Sequence, residues 1–269
     1  MSAMNRKLPN DFLFTIVALL VSIVIVHTVY VLHVRPVAEA TLQADRERMR
    51  TDPNYVPQRS LEVVLKDYEQ EAEIILMLWA LGIMGYKALE HRREQAALDA
   101  DLLRLPEGMK ILPEDTREYS RQLDSLPIET HSLLLPRAVQ GALARFGATR
   151  SVQDASTVAH GICQSEADRL DSDLALLRYI AWAIPAIGFI GTVRGIGDAL
   201  SQAHRAVTGD ISGVTEGLGV AFNSTLIALL LSIFLMFLMQ QLQRVQERRV
   251  LDTETWLDQK IIRNLQARS

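Results

Sequence analysis

Leu218 to Met239 reads LGVAFNSTLIALLLSIFLMFLM, a run with no Asp, Glu, Lys or Arg. A helix needs about 20 apolar residues to cross the hydrocarbon core of a bilayer, and this run supplies them. The chain is therefore expected to enter a membrane. Just upstream, Leu176 to Leu200 is a second such run, interrupted by Arg178 near its start and by Arg194 and Asp198 towards its end. At the other end of the chain Phe12 to Val34 (FLFTIVALLVSIVIVHTVYVLHV) is again free of charge. It follows Arg6 and Lys7, as a signal peptide would. It exceeds a typical signal-peptide core and no A-x-A site directly follows it, so it reads as an uncleaved span.

Ile74 to Tyr86 (IILMLWALGIMGY) is shorter and on length alone suits a buried soluble helix equally well. Carried to Leu89, with Lys87 snorkelling, it reaches roughly 16 residues, or about 24 Å. Charge parity decides for a span. With it present, Arg6-Lys7, Lys87 with Arg92-Arg93, and Arg244 with Arg248-Arg249 all fall on one side, the positive-inside pattern. The sequence thus predicts an all-α polytopic membrane protein with spans at about 12–34, 74–89, 176–200 and 218–239, and with both termini in the cytoplasm. Residues 1–89 form a helix pair around an acidic extracytoplasmic loop (about Arg35 to Glu73). Residues 90–175 form a cytoplasmic helical block broken at Pro106, Pro113, Pro127 and Pro136. Residues 176–242 hold the second helix pair, joined by a short hairpin around Ser201 to Glu216, and 243–269 a cytoplasmic C-terminal helix. Ser151 to Leu177 and Gln240 to Leu265 keep helical periodicity, so two spans are expected to project as long helices into the cytoplasm.

The averages of the 269-residue chain hide this: 49% hydrophobic, 22% charged and a net charge of −4 resemble a soluble domain. The slight acidity argues against nucleic-acid binding, which needs a net basic face. A single cysteine, Cys163, excludes an intrachain disulfide framework and a Cys-rich zinc site. There is no Walker A, H-E-x-x-H or G-x-S-x-G sequence, and Gly195-Ile196-Gly197 lies in a membrane helix rather than a phosphate loop. The six histidines are scattered. No catalytic residue, cofactor or metal site is expected.

The two C-terminal spans carry stripes of small residues. Ala181, Pro185, Gly188, Thr192, Gly195 and Ala199 alternate steps of four and three, which keeps them on one helical face. Ala221, Thr225, Ala228 and Ser232 do the same in the last span, whose other faces carry Leu226, Leu230, Ile233, Phe234 and Phe237. Two readings are open. Small residues let membrane helices approach closely, Gly191-x-x-x-Gly195 being one such match, and a threonine often bonds back to its own helix. Alternatively the stripes line a shared cavity, with Thr192, Thr225 and Ser232 offering hydroxyls to an ion pathway and Pro185 marking a kink.

Arg194 lies roughly 200° from Thr192 around the helix, off the stripe. It either reaches the outer surface or finds an anion, and Asp198 (one turn on) and Glu216 (across the hairpin) are the candidates for a structural, gating or intersubunit pair. Asn223, Ser224, His27 and His33 suit interhelical hydrogen bonds, with proton handling as the alternative. No carboxylate lies deep in any span as drawn.

EADRLDSDLALLRYIAWAIPAIGFIGTVRGIGDAL (Glu166 to Leu200) resembles the signature leading into the pore helix of the MotA/TolQ/ExbB proton-channel family, with its G-[LFI]-[LI]-G-T-V-x-G-I core. GVTEGLGVAFNSTLIALLLSIF (Gly213 to Phe234) resembles the helix that follows it. The likeness covers about Ser151 to Leu242, and the four-span order is similar to MotA. Two positions depart: Val220 stands where ExbB and TolQ have a glutamate, and Arg194 fills the x of G-T-V-x-G-I.

The resemblance implies a bacterial inner-membrane ring of subunits, typically a pentamer, around the helices of a single-span MotB/TolR/ExbD-like protein with an intramembrane Asp. Thr192 and Thr225 match the family's pore threonines and would hydrogen-bond near that carboxylate. Gly188, Gly195, Ala221, Ala228 and Ser232 would face the partner. The expected function is a channel or stator subunit of an ion-driven motor. A non-conducting scaffold whose stripes only pack, and a secondary transporter, are the alternatives; no inverted repeat supports the last.

Overall fold

The computed structural model describes residues 10–52, 55–56, 60–99 and 110–266; Arg6, Lys7 and Pro106 lie outside them. The fold is all-α. The elements are α1 (Asn10–Val29), a π-helical turn (Tyr30–Val34), α2 (Arg35–Thr51), α3 (Leu61–Leu65), α4 (Tyr68–Asp99), α5 (Thr116–Asp124), α6 (Ile128–His131), α7 (Leu134–Thr149), α8 (Val152–Asp173), α9 (Ala175–Ser201), α10 (Ala203–Ala206) and α11 (Ser212–Lys260). Among the described residues no strand forms, and extended pairing is confined to an isolated bridge between Ile111 and Leu265. Among the described residues four helical stretches are long and apolar enough to cross a membrane: Phe12–Thr51, Tyr68–Arg92, Val152–Ser201 and Ser212–Asn264. The protein is a multi-pass membrane protein.

Two local expectations change. The segment after Val34, anticipated as a loop, continues as helix through α2. Pro36 cannot donate to the carbonyl one turn earlier. The wider π turn ends at Val34, two residues before it, so Pro36 falls in the first turn after the ladder changes register and the helix survives. Pro136 was expected to break the chain but is the third residue of α7. In a first turn the backbone N–H has no intrahelical partner, so proline costs nothing there. The left-handed Arg150, at φ 55°, ends α7.

The chain forms two compact units. Met1–Gly85 and Leu176–Met239 make the first, Tyr86–Ala175 and Gln240–Ser269 the second.

In the first unit, α1 and α4 are tied by side chains facing each other across the pair. Trp79 Nε1 donates to the Thr15 carbonyl at 2.9 Å. Val26, Tyr30 and Val34 bury against Ile74, Ile75 and Leu78. Glu71 accepts from His27 Nδ1 at 2.7 Å and pairs with Arg35. Outward, Leu20, Leu32, Trp182, Phe189, Phe222, Ile233 and Phe237 stand exposed, which would be prohibitive in water and is ordinary against lipid.

The second unit has a conventional core. Leu134, Leu135, Val139, Leu143 and Phe146 of α7 pack on Ala155, Ala159 and Cys163 of α8 and on Leu257 and Ile261. Ser151 caps α8 by accepting from the Asp154 amide at 3.2 Å. Cys163 is fully buried, and that burial pushes its thiol up to about 11, so it packs as an inert small apolar group.

Beside this core lies an ionic cluster. The buried Glu166 carboxylate accepts from Arg169 at 2.7 and 3.2 Å and from Arg137 at 3.3 Å, with the buried Arg249 guanidinium 3.7 Å away. Glu94 nearby accepts from the Leu134 amide at 3.1 Å, and burial raises its carboxyl above the ordinary range.

Candidate functional site

The site lies in the first unit, on the seam between α9 and α11. Glycines set how close the two backbones come. A Cβ on Gly195 would sit 2.5 Å from the Ala221 nitrogen and 2.6 Å from the Gly217 carbonyl. One on Gly217 would sit 2.6 Å from the Ala199 nitrogen, and one on Gly188 would collide with the Ala228 methyl. Gly188, Gly195, Ala199, Ala221, Ala228 and Ser232 are all buried. The two small-residue stripes therefore face each other within one chain, as the packing reading expects of them. Bulk on either stripe would open the seam.

Pro185 and Ser232 form one device. Proline has no N–H for the carbonyl four residues back, which is Ala181. Ser232 Oγ donates to that carbonyl at 3.0 Å across the seam. Replacing Ser232 by alanine leaves a buried acceptor bare and is expected to cost about 1 kcal/mol. Adding Pro185→Ala restores an N–H within α9 and should recover most of that loss. Detergent-phase unfolding of the single and double variants reads the difference.

The threonines sit one step along the seam and are half-buried. Their hydroxyls hydrogen-bond to each other. Thr192 also lies 3.2 Å from the Gly188 carbonyl and 3.1 Å from that of Ala221, and Thr225 lies 3.2 Å from the same Gly188 carbonyl. Each hydroxyl has one proton, so both cannot donate to Gly188 and to each other at once. Two arrangements satisfy the geometry: Thr192 donates to Thr225 and Thr225 to Gly188, or the reverse with Gly188 or Ala221 as acceptor. In each, both oxygens keep acceptor capacity. The pair can take a hydrogen bond from an incoming donor and reverse its own direction without moving a heavy atom. Ser224, fully buried, adds a donor 3.2 Å from the same Gly188 carbonyl.

Arg194 finds an anion that sequence reasoning did not name. Its Nε and Nη2 form a bidentate pair with Glu69 of α4, both at 2.7 Å. Asp198 is peripheral at 4.0 Å, and Glu216 bonds to Arg46 at 3.4 Å instead. Helical spacing pointed to Asp198. A carboxylate in another span leaves no trace in local spacing, and Glu69 stood in the stretch read as loop. The fork geometry favours Glu69, because two parallel bonds to a planar carboxylate exceed one long contact. Arg194→Ala and Glu69→Ala are expected to loosen the contact between α4 and α9 equally, and the double variant to be no worse than either alone. Cross-linking of cysteines placed on the two helices measures it; additive losses would show that the pair does not join them. Gly217 extends the α11 stripe by one more step of four, a signal available in the sequence but overlooked.

A scan of protein-family models matches residues 136–255 to the MotA/TolQ/ExbB proton channel family. That region runs from the first turn of α7 through the seam and into the last part of α11. No curated protein and no solved structure matches the chain.

Proposed function

We propose that this chain, whose residues 136–255 match the MotA/TolQ/ExbB proton channel family, is a member of that family and the channel-forming or stator-ring subunit of an ion-driven motor in a bacterial inner membrane. Copies of the chain assemble as a homo-oligomer, a pentamer in this reading. The ring encloses a single-span protein of the MotB/TolR/ExbD kind, whose intramembrane aspartate takes up and releases a proton. Both termini lie in the cytoplasm. The observation that carries the reading is the Thr192–Thr225 hydroxyl pair, half-buried at a seam of two membrane helices and able to reverse its hydrogen-bond direction. Beside it, the partner's carboxyl would always meet either a donor or an acceptor. Gly188, Gly195, Ala221, Ala228 and Ser232 hold the two helices close enough to keep the pair together, and Ser232 also bonds the Ala181 carbonyl that Pro185 leaves without a helical N–H.

The competing reading is a non-conducting scaffold, and the close packing of the small residues favours it as far as those residues go. Co-expression with a single-span protein of the MotB/TolR/ExbD kind, followed by purification, subunit counting and reconstitution into vesicles under an imposed proton gradient, separates the two. The expected result is a ring with foreign helices at its centre and proton flux that needs the partner's aspartate. A stable ring that never conducts, with or without a partner, overturns the motor reading.

A further inference from the structure

The first unit holds a carboxyl that neither the threonine pair nor the Arg194–Glu69 contact uses. Glu73 of α4 is fully buried, and neither of its oxygens has a hydrogen-bond partner. Three residues earlier on the same face, Gln70 is also fully buried, with both its amide oxygen and its amide nitrogen unpartnered. The buried Tyr30 hydroxyl belongs to a further side chain of this unit with an unpartnered polar atom. Native proteins leave few such groups, and each one asks for an explanation.

The surroundings narrow it. Gln70, Glu73, Met77, Ala80 and Met84 form the buried stripe of α4, spaced by threes and fours along one face. Glu69, one turn before Glu73, is where α4 meets the seam: its Cγ lies 3.0 Å from where a Gly191 Cβ would be, beside the Ser224 hydroxyl. The cations of the unit that come near are committed elsewhere. Arg194 is held by both oxygens of Glu69, and Arg35 and His27 by Glu71. Lys66 pairs with Asp67 at 3.1 Å. On α11, Glu216 is engaged with Arg46. An ionised carboxylate in this place would have no cation and at most the neutral donors Gln70 Nε2 and the Tyr30 hydroxyl, so burying the charge would still cost several kcal/mol. A neutral acid needs only one acceptor for its O–H, and Gln70 Oε1 is an unused acceptor on the same face.

We infer that Glu73 is a proton-binding site in this chain's own second span, its carboxylic acid donating to Gln70. A sodium ion would need several converging oxygens at ionic distance, whereas a proton needs only this pair. The chain then carries a membrane carboxyl of its own, apart from any carried by a partner, and it lies one helical turn from the Glu69 contact with the seam. The assignment does not rest on the motor reading, because a proton can be held where none is conducted.

Infrared difference spectra of the reconstituted full-length protein test it. At neutral pH the wild type minus Glu73→Gln should show the carbonyl band of a protonated carboxyl, shifted in D2O and unchanged by saturating sodium. The absence of the band, or its loss on adding sodium, overturns the inference. Because an amide imitates a neutral acid, Glu73→Gln should assemble as the wild type does. Failure of Glu73→Gln to assemble while Glu73→Asp succeeds would mean that an ionised carboxylate is required, and overturns it too. No flux enters these readings, so a failure here and a failure of the channel reading are separate results.

Discussion

Thr225→Val is expected to lower ion flux at least about tenfold while leaving the oligomer intact. Valine keeps the volume and branching of threonine, so the seam stays filled; what disappears is one hydroxyl. Thr192 still has the Gly188 and Ala221 carbonyls within 3.2 and 3.1 Å, so it settles on a backbone acceptor and the fold loses no more than about 1 kcal/mol. The reversible pair is gone, however. Thr192 alone is a fixed donor to its own backbone, and nothing presents the incoming group with a donor and an acceptor in turn. Losing one hydrogen bond of about 1.4 kcal/mol at the barrier corresponds to a factor of about ten in rate, and losing the switch should exceed that. Thr225→Ser keeps the hydroxyl and should keep most of the flux. Proton uptake into vesicles, with the oligomer checked by native mass spectrometry, reads both effects. Wild-type flux in Thr225→Val would remove Thr225 from the pathway.

The legibility of this site in the sequence follows from which interactions are local. Periodicity is local, so the four spans, the helical character of Ser151–Leu177 (α8 and the start of α9, parted by a turn at Leu174) and of Gln240–Lys260 in α11, and the stripes of Gly188, Thr192, Gly195, Ala221 and Thr225 were readable. What the stripes face was open, because small residues that pack a seam and small residues that line a cavity have the same spacing. A Cβ on Gly188 or Gly195 would collide across the α9–α11 seam, so within one chain these glycines set how close the two helices come. Partners across spans were not readable. Glu69 lay in a supposed loop, and only the tertiary fold brings it to Arg194. The same boundary, drawn at Ile74, kept Glu73 out of the second span and let that span appear free of carboxylates. A span boundary taken from hydropathy falls at the first charge, and in α4 the helix starts at Tyr68, before it. The helix likewise runs on past Val34 into α2, across a π turn, although the apolar run ends there.

Glu166→Ala is expected to cost the second unit about 3–5 kcal/mol, because it strands a buried cation rather than because it removes a favourable pair. Arg137 and Arg169 keep solvent-exposed side chains and can turn to water, but Arg249 is 4% exposed and cannot. Against a domain stability of about 5–15 kcal/mol, that loss is large enough to unfold much of the unit near its melting range. The cluster also sets an acid limit. Burial alone would raise the Glu166 carboxyl, but the hydrogen bond and charge of Arg169, with the charges of Arg137 and Arg249, outweigh it and hold the group below the ordinary carboxylate range. A carboxyl lowered by folding stabilises at pH above its unfolded value, and that stability is lost as pH falls through the folded one. The wild type should therefore weaken in acid more steeply than Glu166→Gln, which starts weaker and has no such proton to take up. The decisive control is Glu166→Ala with Arg249→Met. If the stranded charge is the cause, removing it restores most of the stability, because a buried ion pair replaced by apolar groups of similar size is often neutral or better. If the double variant stays as weak as Glu166→Ala, the loss comes from packing around α8 and the guanidinium of Arg249 is not its source. Thermal unfolding of the four proteins across a pH series separates the two.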